Sequence, residues 1–350
     1  MVLNRGDDAR VQEGSPMAKT GATTIADVAN HAGVSPATVS RVMNGRFLGE
    51  PEVGERVRAS AAQLNYSPNH LARSFALGKT KAIAFLVPDL ANPAFQTVLA
   101  GLSKAAATDG YRVLVADSAE SAADEPVLAA EVRSRCDAIV LCAPRMSEDD
   151  LERTTATLGP VVLMNRSSPR VTAPTLSVDS RAGFELIAQH LYALGHRRLV
   201  YVAGPEGVAN ANRIKGLGDF AETVGDVTII HVAGGAGSED GLAAVEAVAS
   251  SGATAALAFN DLVAVGLVHG LVERGIRVPD DVSVTGFDDI PFARFLSPSL
   301  TTASVPHDVL GTLAWARMQA LMAGMPPEHN VVFQPRLEVR RSTAPPPAAE

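Results

Sequence analysis

TIADVANHAGVSPATVSRVMNG, residues 24–45, decides how the front of this chain folds. Thr24 suits an N-cap, with Asp27 three positions on as its short-chain capping-box partner. Ile25, Val28, Ala29 and Ala32 fall at helical spacing and mark a buried stripe. Gly33 ends that helix, where a left-handed cap costs glycine least. Val34 packs the turn, Ser35 is a second N-cap, and Pro36 takes the first helical position, where no N–H is needed. Val39 and Val42 then point inward, which leaves Thr38, Arg41 and Asn44 outward with Ser40 on a flank. Two short helices joined by a tight turn, the second presenting hydroxyls and an arginine, form a helix-turn-helix, a device that sets one helix in the DNA major groove. Arginine can bond guanine O6 and N7 bidentately, and Thr, Ser and Asn suit phosphate oxygens.

Outward from this stretch, residues 50–66 read as a third amphipathic helix with Val53, Val57, Ala61 and Leu64 inward. The break Tyr66-Ser67-Pro68-Asn69 precedes HLARSFALGKT, residues 70–80. Residues 69–77 suit a short helix stopped by Gly78, too short to hold alone in water. A helix that forms only in a complex fits a hinge that folds on DNA.

The words TIADVANHAGVSPATVSRVMNG, LNYSPN and ARSFALGKT, from Thr24 to Lys79, resemble the headpiece of the lactose/galactose repressor family of bacterial transcription regulators. The resemblance implies paired hinge helices in the minor groove, with a side chain from each wedged into a central base step. Asn69, Ala72 and Arg73 match the hinge pattern, while Phe75 stands where the family has its wedging leucine. The family's first two base-reading positions fall on Pro36 and Ala37, which offer no side-chain hydrogen bond, although Ala37 can touch a thymine methyl. Arg41 is left as the one strong polar reader.

Charge is distributed to match. The 350 residues carry −8 overall, but residues 18–79 hold seven Lys/Arg against four Asp/Glu. The headpiece is therefore +3 and residues 80–350 are −10, a basic phosphate footprint on an acidic, soluble body. No apolar run reaches the roughly 18 residues of a membrane span. The polar first 16 residues lack a signal-peptide apolar region, so a cytoplasmic, nucleoid-associated protein is expected, with residues 1–20 disordered and Met17 a second candidate start. Cys136 and Cys142 are expected as reduced core thiols. The tail from 343, TAPPPAAE, is expected to be disordered.

From Lys81 the pattern alternates strand and helix. Strands are expected at Ala82–Val87, Tyr111–Ala116, Ala138–Cys142 and Val161–Met164, then at Leu199–Ala203, Thr228–Val232, Ala255–Phe259 and Ser283–Thr285. Helices are expected at 94–109, 181–194, 212–223, 239–250 and 261–274. The alternation predicts doubly wound parallel sheets. The fold class is thus an N-terminal all-α helix-turn-helix headpiece (21–67) and a hinge (68–80), followed by an α/β core (81–342) similar to periplasmic binding proteins. The core has two parallel-sheet subdomains, about 81–177 with 306–331 and 178–303 with 332–342. The chain is expected to cross between them near 177–179, 303–307 and 330–333.

The same resemblance implies an effector site in the cleft between the subdomains. Arg213, heading the helix RIKG, matches a clamp for sugar hydroxyls. Asn260 matches the asparagine of FNDLVAVG, Asp288 the aspartate of GFDD, Arg166 and Asn165 follow the strand VVLM, and Phe95 matches a stacking position. Asn165 replaces a frequent aspartate, Val305 a frequent glutamine, and Gly234–Gly237 offer no aromatic where the lactose repressor has tryptophan. Carboxylate, amide and guanidinium with an aromatic face suit a hydroxylated ring. His190, His196 and His307 are scattered and are expected to be structural.

These readings converge on a homodimeric, ligand-responsive repressor of a pseudo-palindromic operator, with double-stranded DNA and a small sugar- or nucleoside-like metabolite as partners and no cofactor or metal. A solute-binding receptor module is the alternative, and it lacks the headpiece. No P-loop, G-x-S-x-G, H-E-x-x-H or zinc spacing supports an enzyme.

Overall fold

The computed structural model describes residues 23–67, 79–326 and 330–348. The expected N-terminal extension and the hinge positions Asn69, Ala72, Arg73 and Phe75 lie outside the described residues. The chain divides into two units, residues 1–78 and 79–350.

In the first unit, α1 (Ile25–Ala32), α2 (Pro36–Met43) and α3 (Pro51–Gln63) pack around Val28, Ala29, Ala32, Val39, Val42, Val57 and Ala61. The caps form as the sequence requires. Thr24 and Asp27 close a reciprocal capping box, Gly33 takes a left-handed φ of 64°, and Ser35 Oγ accepts from Thr38 N at 3.1 Å. Arg56 Nε donates to Ala32 O at 2.9 Å and ties α3 to the end of α1.

The second unit holds two six-stranded sheets. The first orders β2 (Arg112–Asp117), β1 (Ala82–Val87), β3 (Ala138–Cys142), β4 (Val161–Met164), β5 (Thr175–Val178) and β11 (Val331–Phe333), all parallel. The second orders β7 (Thr228–Val232), β6 (Arg198–Val202), β8 (Ala255–Ala258), β9 (Ser283–Asp288), β10 (Thr301–Ser304) and β12 (Arg336–Glu338). Only β12 runs antiparallel there, pairing with β10. Strands β1, β3, β4 and β8 are buried along their whole length, which is why they read as unbroken apolar runs: helices cover both faces.

The helices of the first subdomain are α4 (Pro93–Thr108), α5 (Glu125–Arg133), α6 (Glu148–Leu158) and α12 (His307–Met322). Those of the second are α7 (Ser180–Ala193), α8 (Val208–Val224), α9 (Ser238–Ala243), α10 (Val245–Ser250) and α11 (Asp261–Glu273). Helices α5, α6 and α12 are not among the five expected, and two of the expected spans differ. Helix α8 begins one turn before 212, and the single helix expected over 239–250 breaks at Ala244 into α9 and α10.

The chain passes between sheets at Asp179, at 305–306 and at 334–335. The last passage falls later than 330–333, because Val331 and Phe333 pair with Leu176 and Val178 of the first sheet before the chain leaves it. The tail also departs from the disorder expected of it. Ala344 N donates to Ser283 Oγ at 3.0 Å, Ala344 O lies 2.9 Å from His196 Nε2, and Thr343 Oγ1 lies 3.0 Å from His190 Nε2. Backbone groups with fixed partners hold a proline-rich segment that composition alone marks as loose.

Candidate functional site

The strands of both sheets end at one cavity of about 250 Å³, whose lining includes Asn92, Phe95, Glu120, Arg145, Asn165 and Asp179 from one side and Asn212, Arg213, Phe259, Asn260, Phe287, Asp288 and His307 around the rest. This is the position ligands take in open α/β folds, outside the carboxyl ends of the strands.

On the second subdomain's wall, α8 buries Arg213, Gly216, Leu217 and Phe220 as one stripe. Arg213 is thus carried inward by helical period and is only 7 % exposed. Its Nη1 donates to Phe259 O at 2.7 Å. Its guanidinium carbon lies 3.8 Å from the Phe259 ring centroid, 4.7 Å from that of Phe287 and 5.4 Å from that of Phe184. Glycines make room for these rings: a Cβ on Gly204 would collide with Phe259, and one on Gly183 with Phe287. Burial holds the Arg213 pKa below the ordinary guanidinium value, while Tyr201 and Asp288 oppose that shift. Its Nε is buried with no hydrogen-bond partner among the described residues, a cost that a ligand oxygen would relieve.

Asp288 closes β9 in a left-handed conformation, φ 112°, and Asp289 follows at φ 55°. Two contacts fix this loop. The buried Asp261 carboxylate accepts from Ile290 N at 2.8 Å and from Thr302 Oγ1 at 2.6 Å, and Asp289 pairs with Arg340 at 2.6 Å. Burial raises the Asp288 pKa, with His307 and Arg213 pulling the other way. His307 heads α12, its Nε2 3.2 Å from Asp288 O and 3.8 Å from Asp288 Oδ1, and its buried Nδ1 has no hydrogen-bond partner among the described residues. It lines the cavity, so the expectation of a merely structural histidine misses its position.

The first subdomain supplies Phe95, half-buried just inside α4, whose start is capped by Asn92 Oδ1 on Ala94 N at 2.9 Å. Asn165 sits at φ 52° after β4, with a buried Oδ1 that has no hydrogen-bond partner among the described residues. Arg166 does not line this cavity. It turns away to Glu148, 3.1 Å from Nη2, and to Pro144 O. Asn165 faces the cleft and Arg166 lies behind it. Arg145 faces the cleft instead, in a fork to Glu120 at 2.5 and 2.9 Å. Asn260 lines the cavity, but its amide is already employed: Oδ1 caps α11 at Val263 N, 2.9 Å, and Nδ2 donates to Ala236 O at 2.8 Å. The sequence reading missed Arg145, Glu120, Asn92, Asp179, Asn212 and Phe259. The signal for the first two was available, since both follow strands at the edge where ligands bind.

In the first unit, Pro36, Ala37 and Arg41 are exposed on α2, with Thr38 and Ser40 half-buried beside them. Arg41 Nε rests on Ala37 O at 3.3 Å. Asn44 is less free than expected: its Nδ2 donates to Ser40 O at 2.7 Å and closes the helix end.

Comparison with known proteins places both units. Residues 24–69 match bacterial regulatory proteins of the lacI family, and residues 188–343 match a periplasmic binding protein-like domain. The HTH-type transcriptional regulator MalR of Streptomyces coelicolor is 33% identical over 338 residues, covering 92% of this chain and 97% of its own. The chain belongs to the lacI family of bacterial regulatory proteins. This lacI-family regulator is also 31% identical to GalR of Escherichia coli, over 92% of this chain and 96% of that one. The lac repressor dimer bound to operator and the anti-inducer ONPF superimposes with a TM-score of 0.81 at 27% identity, covering 93% of this chain and 100% of that one. The CelR–cellobiose complex gives 0.68 at 26% identity, over 91% and 99%. The protein is therefore a ligand-responsive transcription regulator with an N-terminal helix-turn-helix and a periplasmic-binding-protein-like core. No helix among the described residues is long and apolar enough to cross a membrane.

Proposed function

We propose that this protein is a cytoplasmic, nucleoid-associated homodimeric repressor, without catalytic activity, whose DNA affinity is set by a sugar-like metabolite in the cleft. One observation carries the reading. Arg213 holds a buried, unpartnered Nε in a ring-lined cavity that both subdomains build, and Asp288 stands on the same lining. A vicinal diol matches that pair, and the rings of Phe259, Phe287 and Phe95 suit the apolar faces of a pyranose or furanose. Related proteins have been solved with cellobiose and with ribose. The cavity lies near the low end of ordinary small-molecule sites, about 300–1,000 Å³, which favours a monosaccharide-sized ligand.

Thr24, Ser35, Thr38 and Ser40 with Asn44 would fix α2 on the phosphates, and Arg41 would read a base with help from Pro36 and Ala37. Two headpieces would read half-sites about one helical turn apart. Asn69, Ala72, Arg73 and Phe75 are the hinge positions in this proposal. The effector acts only through unequal affinity for two arrangements of the subdomains, and DNA binding must shift the same equilibrium in return. Random-site selection with the full chain, followed by gel shifts against a panel of neutral sugars and nucleosides, tests the proposal. Enrichment of a palindrome that a panel member weakens or strengthens is expected. Failure to enrich any palindrome sinks the DNA reading.

A further inference from the structure

The cleft holds two arginines, and one of them already has its fork on a carboxylate. Arg145 Nε and Nη2 donate to the two oxygens of Glu120 at 2.5 and 2.9 Å, and Nη1 donates to Ala143 O at 3.1 Å. The same planar fork is what binds a phosphate bidentately. Arg213 is wrapped by three rings and Phe259 O, and its buried Nε has no hydrogen-bond partner among the described residues.

Glu120 is not at Arg145 by chance of a long side chain. Ala119 and Glu120 both adopt left-handed backbone, φ 49° and 60°, rare for two successive residues that are not glycine. Ala119 N donates to Asp117 Oδ1 at 2.9 Å and Glu120 N to Pro88 O at 2.7 Å. The opposite partner is held as firmly. The buried Glu125 accepts from Arg145 N and from Met146 N, both at 2.7 Å. With Asp179 and Asp288 on the same lining, carboxylates outnumber guanidinium groups by three to two.

We infer that Glu120 is a specificity residue: by occupying the Arg145 fork it closes the cleft to phosphorylated and other anionic ligands and selects an uncharged, hydroxyl-bearing effector. This rests on the reading of the cleft as the effector site. The test uses the full chain, with inorganic phosphate, ribose 5-phosphate and ribose as probes in calorimetric titrations and thermal melts. Wild type is expected to show no shift with either phosphate. Glu120→Ala and Glu120→Gln are expected to gain phosphate affinity by about tenfold or more, and Glu120→Ala with Arg145→Met to lose that gain. Binding of ribose 5-phosphate by wild type as tightly as ribose overturns the inference, and that arm stands even if the variants fail to fold. So does a cooperatively melting Glu120→Ala that gains nothing. If the variant gains phosphate but no neutral sugar alters operator binding, the gate stands and the effector reading falls. If a neutral sugar and its phosphate ester alter operator binding equally in wild type, the effector reading stands and the gate falls.

Discussion

Arg213 combines a permanent charge with near-complete burial and a buried Nε that has no hydrogen-bond partner among the described residues. Such a group is worth most when a ligand satisfies it, so its removal should act on ligand binding and not on the headpiece. Arg213→Ala is expected to abolish the effector's action on operator binding while leaving ligand-free operator affinity within a factor of about two. A variant that still responds at wild-type effector concentration would place the effector elsewhere. Arg41 offers a different test. Its terminal nitrogens have no hydrogen-bond partner among the described residues and it is the only charged side chain on α2. Arg41→Ala should cost roughly 1–3 kcal/mol at one base pair per half-site and relax the preference there. Uniform weakening on every sequence, measured by selection on a randomised operator, would reassign it to a phosphate.

The helices meet where glycines let them. A Cβ on Gly311 of α12 would run into the Val98 carbonyl of α4, and one on Gly101 of α4 into the Asp308 carbonyl of α12. Backbone cannot yield as a flexible side chain can, so Gly311→Ala should lower stability by about 1–3 kcal/mol, read as a shifted urea midpoint. Gly218, exposed on α8 with open space around it, is the control: Gly218→Ala should gain about 0.5–1 kcal/mol from helix propensity and chain entropy. Equal effects at both sites would mean that propensity, not close approach, governs Gly311. Elements of this kind set the limit of what sequence pattern conveys. Strands β1, β3 and β4 were legible to the residue because four to six apolar positions between turn signals allow little else, and β7 because its three apolar residues sit between a helix stop and a glycine run. Helices α5 and α6 were not, since EPVLAAEVR and EDDLERTTATL bury only a few residues each against one sheet face. In the cleft, Arg213, Asp288, Phe95 and Asn165 were legible from their order along the chain. Glu120 and Arg145 were legible only as residues that follow strands at the ligand-binding edge; the left-handed backbone and cross-loop contacts that aim them, and that place His307, are encoded by no spacing. Arg166 was misplaced for the same reason: adjacency in sequence to Asn165 says nothing about which side of the loop each faces.

The whole core responds to pH through groups of opposite sign. His190 and His196 have pKa values lowered by burial, and His196 is 1 % exposed between Thr254 Oγ1 at 2.8 Å and Ala344 O at 2.9 Å. The folded state therefore favours their neutral forms. Their contribution is fully present above the unfolded-state value of about 6.5 and is lost as pH falls through the lowered folded values. Asp261, Asp288 and Glu125 have pKa values raised by burial, so the folded state takes up protons there more readily than the unfolded chain, and stability rises as pH falls through their folded values. The net slope mixes both sets, and a subtraction separates them. Both histidines hold the C-terminal strap, so replacing them with His190→Asn and His196→Asn should lower stability at pH 7.5 and flatten the loss between pH 7 and pH 5.5. Urea midpoints of wild type and the double variant at those pH values measure it. A parallel pair of curves, offset but equal in slope, would mean that the bonds of residues 342–344 to Ser283, Val284 and Thr301 hold the segment and that the acid sensitivity arises elsewhere.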